Sequence, residues 1–198
     1  MKKQNLSVRQ GSTFTLSVAW EGRRLVYRPI SQIEQTSPVR ITALAHGVPD
    51  GWMVAVMNAK GLTHLNAEYN PPKDAEFRQA TVVSPDAIEF NPVNAAGFKA
   101  YQSGGQLVYY EPVSLIDVTA RMQIRRRPGV PFFYELTTEN GAISLDFARS
   151  RINLQIPAGD TAGMDWTTGF YDLEVVDANG VVTPLLAGEV VVTREITT

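Results

Sequence analysis

Two histidines are the side chains here best suited to acid–base or metal chemistry: His46 in "AHGVPDG" and His64 in "LTHLN". A metal centre needs further donors at ligand spacing. Asp50 and Glu68 lie near them in sequence, but their spacing fits no ligand pattern. His46 therefore reads as a turn residue whose ring satisfies a backbone group. The sequence lacks cysteine, which excludes disulfides and thiolate metal sites. It also lacks the G-x-S-x-G elbow of a serine nucleophile. Asp172 and Glu174 form a carboxylate pair on one strand face. A glycosidase would add a sugar-binding aromatic groove to such a pair, so solvent-facing carboxylates are the simpler reading. "SGG" (103–105) reads as a turn and not as a phosphate loop, because no helix pattern follows it. The sequence thus assigns no catalytic residue, no metal and no cofactor, and points away from an enzyme.

Binding surfaces are better represented. "RMQIRRRPG" (121–129) is the one basic run. Arg121, Gln123 and Arg125 share a strand face, and Arg126 and Arg127 lead into Pro128–Gly129. An anionic partner, such as an acidic neighbouring subunit, would use this face. A solvated face that blunts edge-to-edge strand pairing would look the same. "AYQSGGQLVYY" offers Tyr101, Tyr109 and Tyr110 as an aromatic platform for sugar, although adjacent tyrosines on a strand face opposite ways. Trp20, Trp52 and Trp166 stand at strand or turn ends, where a ring caps a β core.

The elements that position these residues are strands. "STFTLSVAW" (12–20) alternates, with Phe14, Leu16 and Val18 on one face. "EGRR" reads as a turn before "LVYRPI". "DVTARMQIRRR" places Val118, Ala120, Met122 and Ile124 opposite the arginines. "PFFYELTTENGAISLD" predicts two strands about Glu139-Asn140-Gly141, and "RINLQIP" (151–157) predicts one more. In "YDLEVVDANGVVTPLLAGEVVVT" (171–193), Tyr171, Leu173 and Val175 alternate with Asp172 and Glu174. Asn179–Gly180 supplies a hairpin turn, and "VVTPLL" and "AGEVVVT" read as two successive strands. "AGDTAGMDW" (158–166) is the one helical stretch, a turn or two long. Through the middle, "VRIT", "WMVAV", "QATVVS", "AIEFNPV" and "GGQLVYYEPV" are short strands between Gly and Pro, a pattern that suits a small barrel. "LVYRPISQI" and "LVYYEPVSLI" resemble each other, as entry and exit strands of an insertion would if they lay side by side.

Composition agrees with a globular all-β chain. Of 198 residues, 44% are hydrophobic and 19% charged, enough to build a core. A net charge of -2 argues against nucleic acid as the main partner. No apolar run approaches a membrane span or follows Lys2–Lys3 as in a secretory signal, so a soluble protein made in a cytoplasm is expected.

Two nested resemblances cover nearly the whole chain. "VRQGSTFTLSVAW", "DVTARMQIRRRPG", "ELTTENGAISLD" and the stretch from "RINLQIP" to "REIT" resemble a β-sandwich domain common in tailed-phage virion proteins. The N-terminal domain of upper baseplate proteins that attach receptor-binding proteins is similar. The middle is similar to a small β-barrel module first named in ubiquitin-activating enzymes and frequent in phage structural proteins. Its pattern falls on His46-Gly47, Gly51, Val54, Val56, Gly61, Leu65-Asn66 and Tyr101, Ser103, Gly104, Gly105. "NAEYNPPKD" departs from it where a strand is usual.

The resemblance implies a discontinuous β-sandwich over residues 1–37 and 111–198 with a small β-barrel inserted over 38–110. It implies a structural part of a phage tail or baseplate, made in the host cytoplasm and placed in the virion tail. There it would work in a symmetric multi-copy assembly with other tail or baseplate proteins, and without nucleic acid or membrane. "VVTREITT" would leave a terminal strand free to pair. A capsid decoration protein, a head-to-tail connector and a carbohydrate-binding module are the other readings. The expected interaction residues are Arg121, Arg125, Arg126, Arg127, Tyr101 and Tyr110.

Overall fold

The computed structural model describes residues 1–195. Strands hold 52% of the chain and helices 6%, so the protein is all-β. In chain order the strands are β1 (Lys2–Lys3), β2 (Leu6–Arg9), β3 (Phe14–Ala19), β4 (Glu21–Pro29), β5 (Gln32–Glu34), β6 (Val39–Thr42), β7 (Met53–Lys60), β8 (Arg78–Gln79), β9 (Thr81–Ser84), β10 (Ala87–Phe90), β11 (Ser103–Pro112), β12 (Thr119–Arg125), β13 (Phe132–Thr137), β14 (Ile143–Asp146), β15 (Arg151–Ile156), β16 (Thr168–Val176) and β17 (Val182–Thr193). One short helix, α1 (Ala158–Ala162), precedes β16. The chain divides into two compact units, residues 1–20 with 114 onward, and residues 21–113.

The first unit is a sandwich. A six-stranded sheet runs β1-β17-β16-β12-β13, with β2 also on β17, and a three-stranded sheet runs β14-β15-β3. Period-two alternation decides which side chains enter the space between. Ala120, Met122 and Ile124 of β12, Leu136 of β13, Tyr171, Leu173 and Val175 of β16, and Leu186, Val190 and Val192 of β17 share one buried core with Ile143, Ile152, Leu154 and Ile156. Phe14, Leu16 and Val18 of β3 pack against it. Asp177 closes the β16–β17 hairpin, its Oδ1 accepting from the backbone N–H of Asn179 and Val181, with Gly180 at φ +78.

Three connections differ from the sequence expectation. β13 and β14 do not pair with each other. β13 pairs with β12 and β14 with β15, so the Glu139–Gly141 turn carries the chain from one sheet to the other. Asn140 Oδ1 accepts from Thr137 and Ala142, and its Nδ2 donates to Glu135 O. "VVTPLL" and "AGEVVVT" are one continuous strand, β17. Nor is β17 a free edge: β16 lies on one side, and β1 and β2 pair with it in parallel on the other. The rest of "VVTREITT", residues 196–198, lies outside the described residues.

In the second unit two four-stranded sheets, β4-β11-β7-β8 and β5-β6-β10-β9, take the place of the expected barrel; neither closes on itself. β4 and β11, the two look-alike segments, are antiparallel neighbours, with Tyr27 opposite Val108 and Leu25 opposite Tyr110. Residues 21–37, counted with the sandwich on sequence grounds, hydrogen-bond inside this unit through β4 and β5. "EGRR" is the start of β4 and not a turn. "SGG" likewise lies inside β11, where Gly104 and Gly105 take φ +70 and +90 beside Ala59. Gly61 has φ +87, and a Cβ there would stand 2.1 Å from Ala100 O, so only glycine fits. Asn66 ties the neighbouring loop to β7, accepting from Ala59 N and donating to Ala59 O, each at 2.9 Å. No strand forms over "NAEYNPPKD". Glu76 instead gathers the loop, its carboxylate accepting from the N–H of Glu68, Tyr69 and Lys73. Partial burial raises its pKa, but those donors together hold it below the usual carboxylate range.

Candidate functional site

The outer face of the six-stranded sheet collects four of the six predicted interaction residues or places them at its end. Because Met122 and Ile124 point into the core, Arg121, Gln123 and Arg125 point away from it. Register then sets their neighbours. Arg125 stands opposite Phe132 on β13 and Phe170 on β16, and Phe170 stands opposite Glu189 on β17. The next row is Glu135, Gln123, Asp172 and Ala187; the one after is Thr137, Arg121, Glu174 and Pro184.

The rows interlock. Arg121 pairs with Glu174 at 2.9 Å, an exposed ion pair worth about 0–1 kcal/mol. Gln123 donates to Glu135. Arg125 donates to Gln123 Oε1 at 2.5 Å and to Val130 O, and its guanidinium lies 5.6 Å from the centre of the Phe132 ring. Those bonds fix Arg125 as the fastening of the Arg126–Pro131 loop. Arg126 and Arg127 sit exposed on that loop. Phe132 and Phe170, on either side of Arg125, are 47% and 55% exposed. A groove of about 850 Å³ runs past Arg121, Arg125, Arg127, Phe170 and Asp172. Away from that groove Phe133 stacks on Trp166 at 5.0 Å, and Tyr134, which stands opposite core-facing Ile124, donates to Asp160 Oδ2 at 2.5 Å. Burial first, then that carboxylate, push the Tyr134 phenol up to about 12.

Tyr101 and Tyr110 belong to the second unit and have internal work. The Tyr101 hydroxyl donates to Ile30 O and Gly104 O, clasping the start of β11. Tyr110 stacks on Phe77 at 5.7 Å. Tyr109 is buried and donates to His46 O. The three rings form no open platform for a sugar.

His46 is 2% exposed. Its Nδ1 accepts from Val48 N–H at 3.0 Å, so its Nε2 carries the proton and donates to Ser84 O, also at 3.0 Å. This is the turn-holding role expected of it. His64 stacks on Phe98 at 4.5 Å. Among the described residues no group of three or more His, Asp or Glu is placed to hold a metal ion. Asp172 and Glu174 lie on the outer face as read, with Glu174 engaged by Arg121.

Sequence reasoning missed Phe132, Phe170 and Glu189. Extending the alternation of Asp172 and Glu174 by two residues puts Phe170 on their face. The lateral rows needed the register, which no single strand carries.

Fold and face together define an all-β chain with a mixed aromatic and charged open sheet face. Compared with protein-family models and with curated proteins, it matches none.

Proposed function

We propose that this protein is a non-enzymatic structural component of a tailed-phage virion. Its role is that of a tail or baseplate adaptor that docks a tail fibre or receptor-binding protein within a symmetric, multi-copy assembly. The supporting observation is the outer face of the six-stranded sheet. It carries arginines, two exposed phenylalanines and a groove that runs past Arg121, Arg125 and Phe170, and arginine and aromatic side chains are the types enriched where protein surfaces meet. The nested sequence resemblances to phage modules supply the biological setting. Rigid β layers suit such a task, because an interface repeated by symmetry needs a surface held in one shape.

Mass spectrometry of separated heads and tails from purified particles tests this. The expected result is a tail signal at a low, symmetric copy number. A head signal in large copy number would replace the adaptor with a decoration protein. Absence from the particle would overturn the virion reading.

A further inference from the structure

We propose that the outer face of the six-stranded sheet joins two copies of this chain about a two-fold axis. This deepens the adaptor reading and rests on it only in taking the face as an interface.

A two-fold contact presents the same patch from both sides, so the patch must be complementary to itself. This one is. Its cations lie on β12 and the loop after it, at Arg121, Arg125, Arg126 and Arg127. Its carboxylates on β16 and β17 are Asp172, Glu174 and Glu189, reached by moving sideways across the same rows. A two-fold axis lying in the contact plane, parallel to the strands and running between β12 and β16, lays the cationic half of one copy on the anionic half of the other.

The internal pairings leave charges of both signs over. Arg121 is engaged by Glu174, and Arg125 by Val130 O and Gln123. Among the described residues Arg126, Arg127, Asp172 and Glu189 have no ion-pair partner. Two carboxylates on the face and two cations on the loop at its end therefore stand unmatched, beside the exposed rings of Phe132 and Phe170. An acidic partner would satisfy only the arginines and would meet the two carboxylates with like charge. A second copy satisfies both and covers the rings.

Sedimentation velocity on the full chain, from low micromolar to near-millimolar concentration, tests the pairing. The wild type is expected to pass from monomer to dimer, with weaker association at high salt. R126E/R127E and D172R/E189R should each weaken it about tenfold or more, and an equimolar mixture of the two variants should restore it as a heterodimer. Circular dichroism confirms that each variant is folded; all four side chains lie outside the core. A wild type that stays monomeric, reversals that associate like the wild type, or a mixture that fails to recover would each overturn the proposal. A monomer found in tails sinks the two-fold contact alone. Absence from particles sinks the adaptor reading and leaves the pairing data standing.

Discussion

Gly188 is where the first unit is most sensitive to a single methyl group. It lies in β17 opposite the break between β1 and β2, and a Cβ built on it would stand 2.0 Å from Gln4 O and 2.7 Å from Gln4 C. Ordinary contact begins near 3.4 Å, so Gly188→Ala must push the Gln4 peptide away by about 1.4 Å. That displacement stretches two bonds past their range, Tyr171 Oη to Gln4 O at 2.8 Å and Gln4 N to Ala187 O at 2.9 Å. The buried hydroxyl left without an acceptor costs about 1–3 kcal/mol, and the lost backbone bond about 1 kcal/mol more. If the amino-terminal segment peels off to escape the clash, Leu6 and Val8 leave the core as well. A net destabilisation of about 2–5 kcal/mol follows. Urea denaturation measures it, and hydrogen exchange locates it, with protection falling first at Gln4 and along β2. Gly159→Ala is the matched control: nothing lies within 4 Å of its added Cβ, so stability should hold or rise by up to about 1 kcal/mol. A Gly188→Ala protein with the wild-type midpoint and unchanged exchange at Gln4 would refute the packing argument.

Three further outcomes are expected. Gly61→Ala combines an unfavourable φ with a 2.1 Å approach to Ala100 O and should cost about 2–4 kcal/mol, whereas Gly97→Ala, with open space around it, should stay within about 0.5 kcal/mol in the same denaturation assay. His46→Ala leaves Val48 N–H and Ser84 O without their partner and should destabilise by about 2–4 kcal/mol, read as an earlier loss of exchange protection in β6 and β10. Burial lifts the Tyr171 phenol from 10.0 to about 12. Below pH 10 both states keep that proton, and between pH 10 and 12 only the unfolded chain gives it up, so stability falls by roughly 2–3 kcal/mol across that window. Tyr171→Phe should lower stability at neutral pH and flatten the alkaline decline, as followed by thermal melts at stepped pH.

The strands themselves were legible because alternation is local. Met122 and Ile124 face inward and Arg121 and Arg125 outward on any sheet that buries one side, and the "LVY" likeness correctly made β4 and β11 neighbours. Beyond that pair, pairing between distant segments was not legible. β1 and β2 are too short to announce themselves, and what holds them is β17, far away in sequence. The same limit explains the turns. Asn140 and Gly141 fix a reversal whether the chain returns beside itself or crosses to the opposite sheet, and only the partners of β13 and β14 decide between the two.

The outer face carries this argument furthest. Each of its residues is ordinary in its own strand: a phenylalanine before a tyrosine, an arginine after an isoleucine, a glutamate after a glycine. They become a surface only because Phe132, Arg125, Phe170 and Glu189 fall in one row across four strands. A one-residue slip of β16 against β12 would reverse its faces, turning Phe170 inward and bringing Tyr171, which now reaches Gln4, out to solvent. The buried core of Leu173, Val175, Met122 and Ile124 forbids that slip. The same packing that stabilises the sandwich therefore sets the spacing of the exposed rings and charges, and a partner that reads this face reads the register of the core.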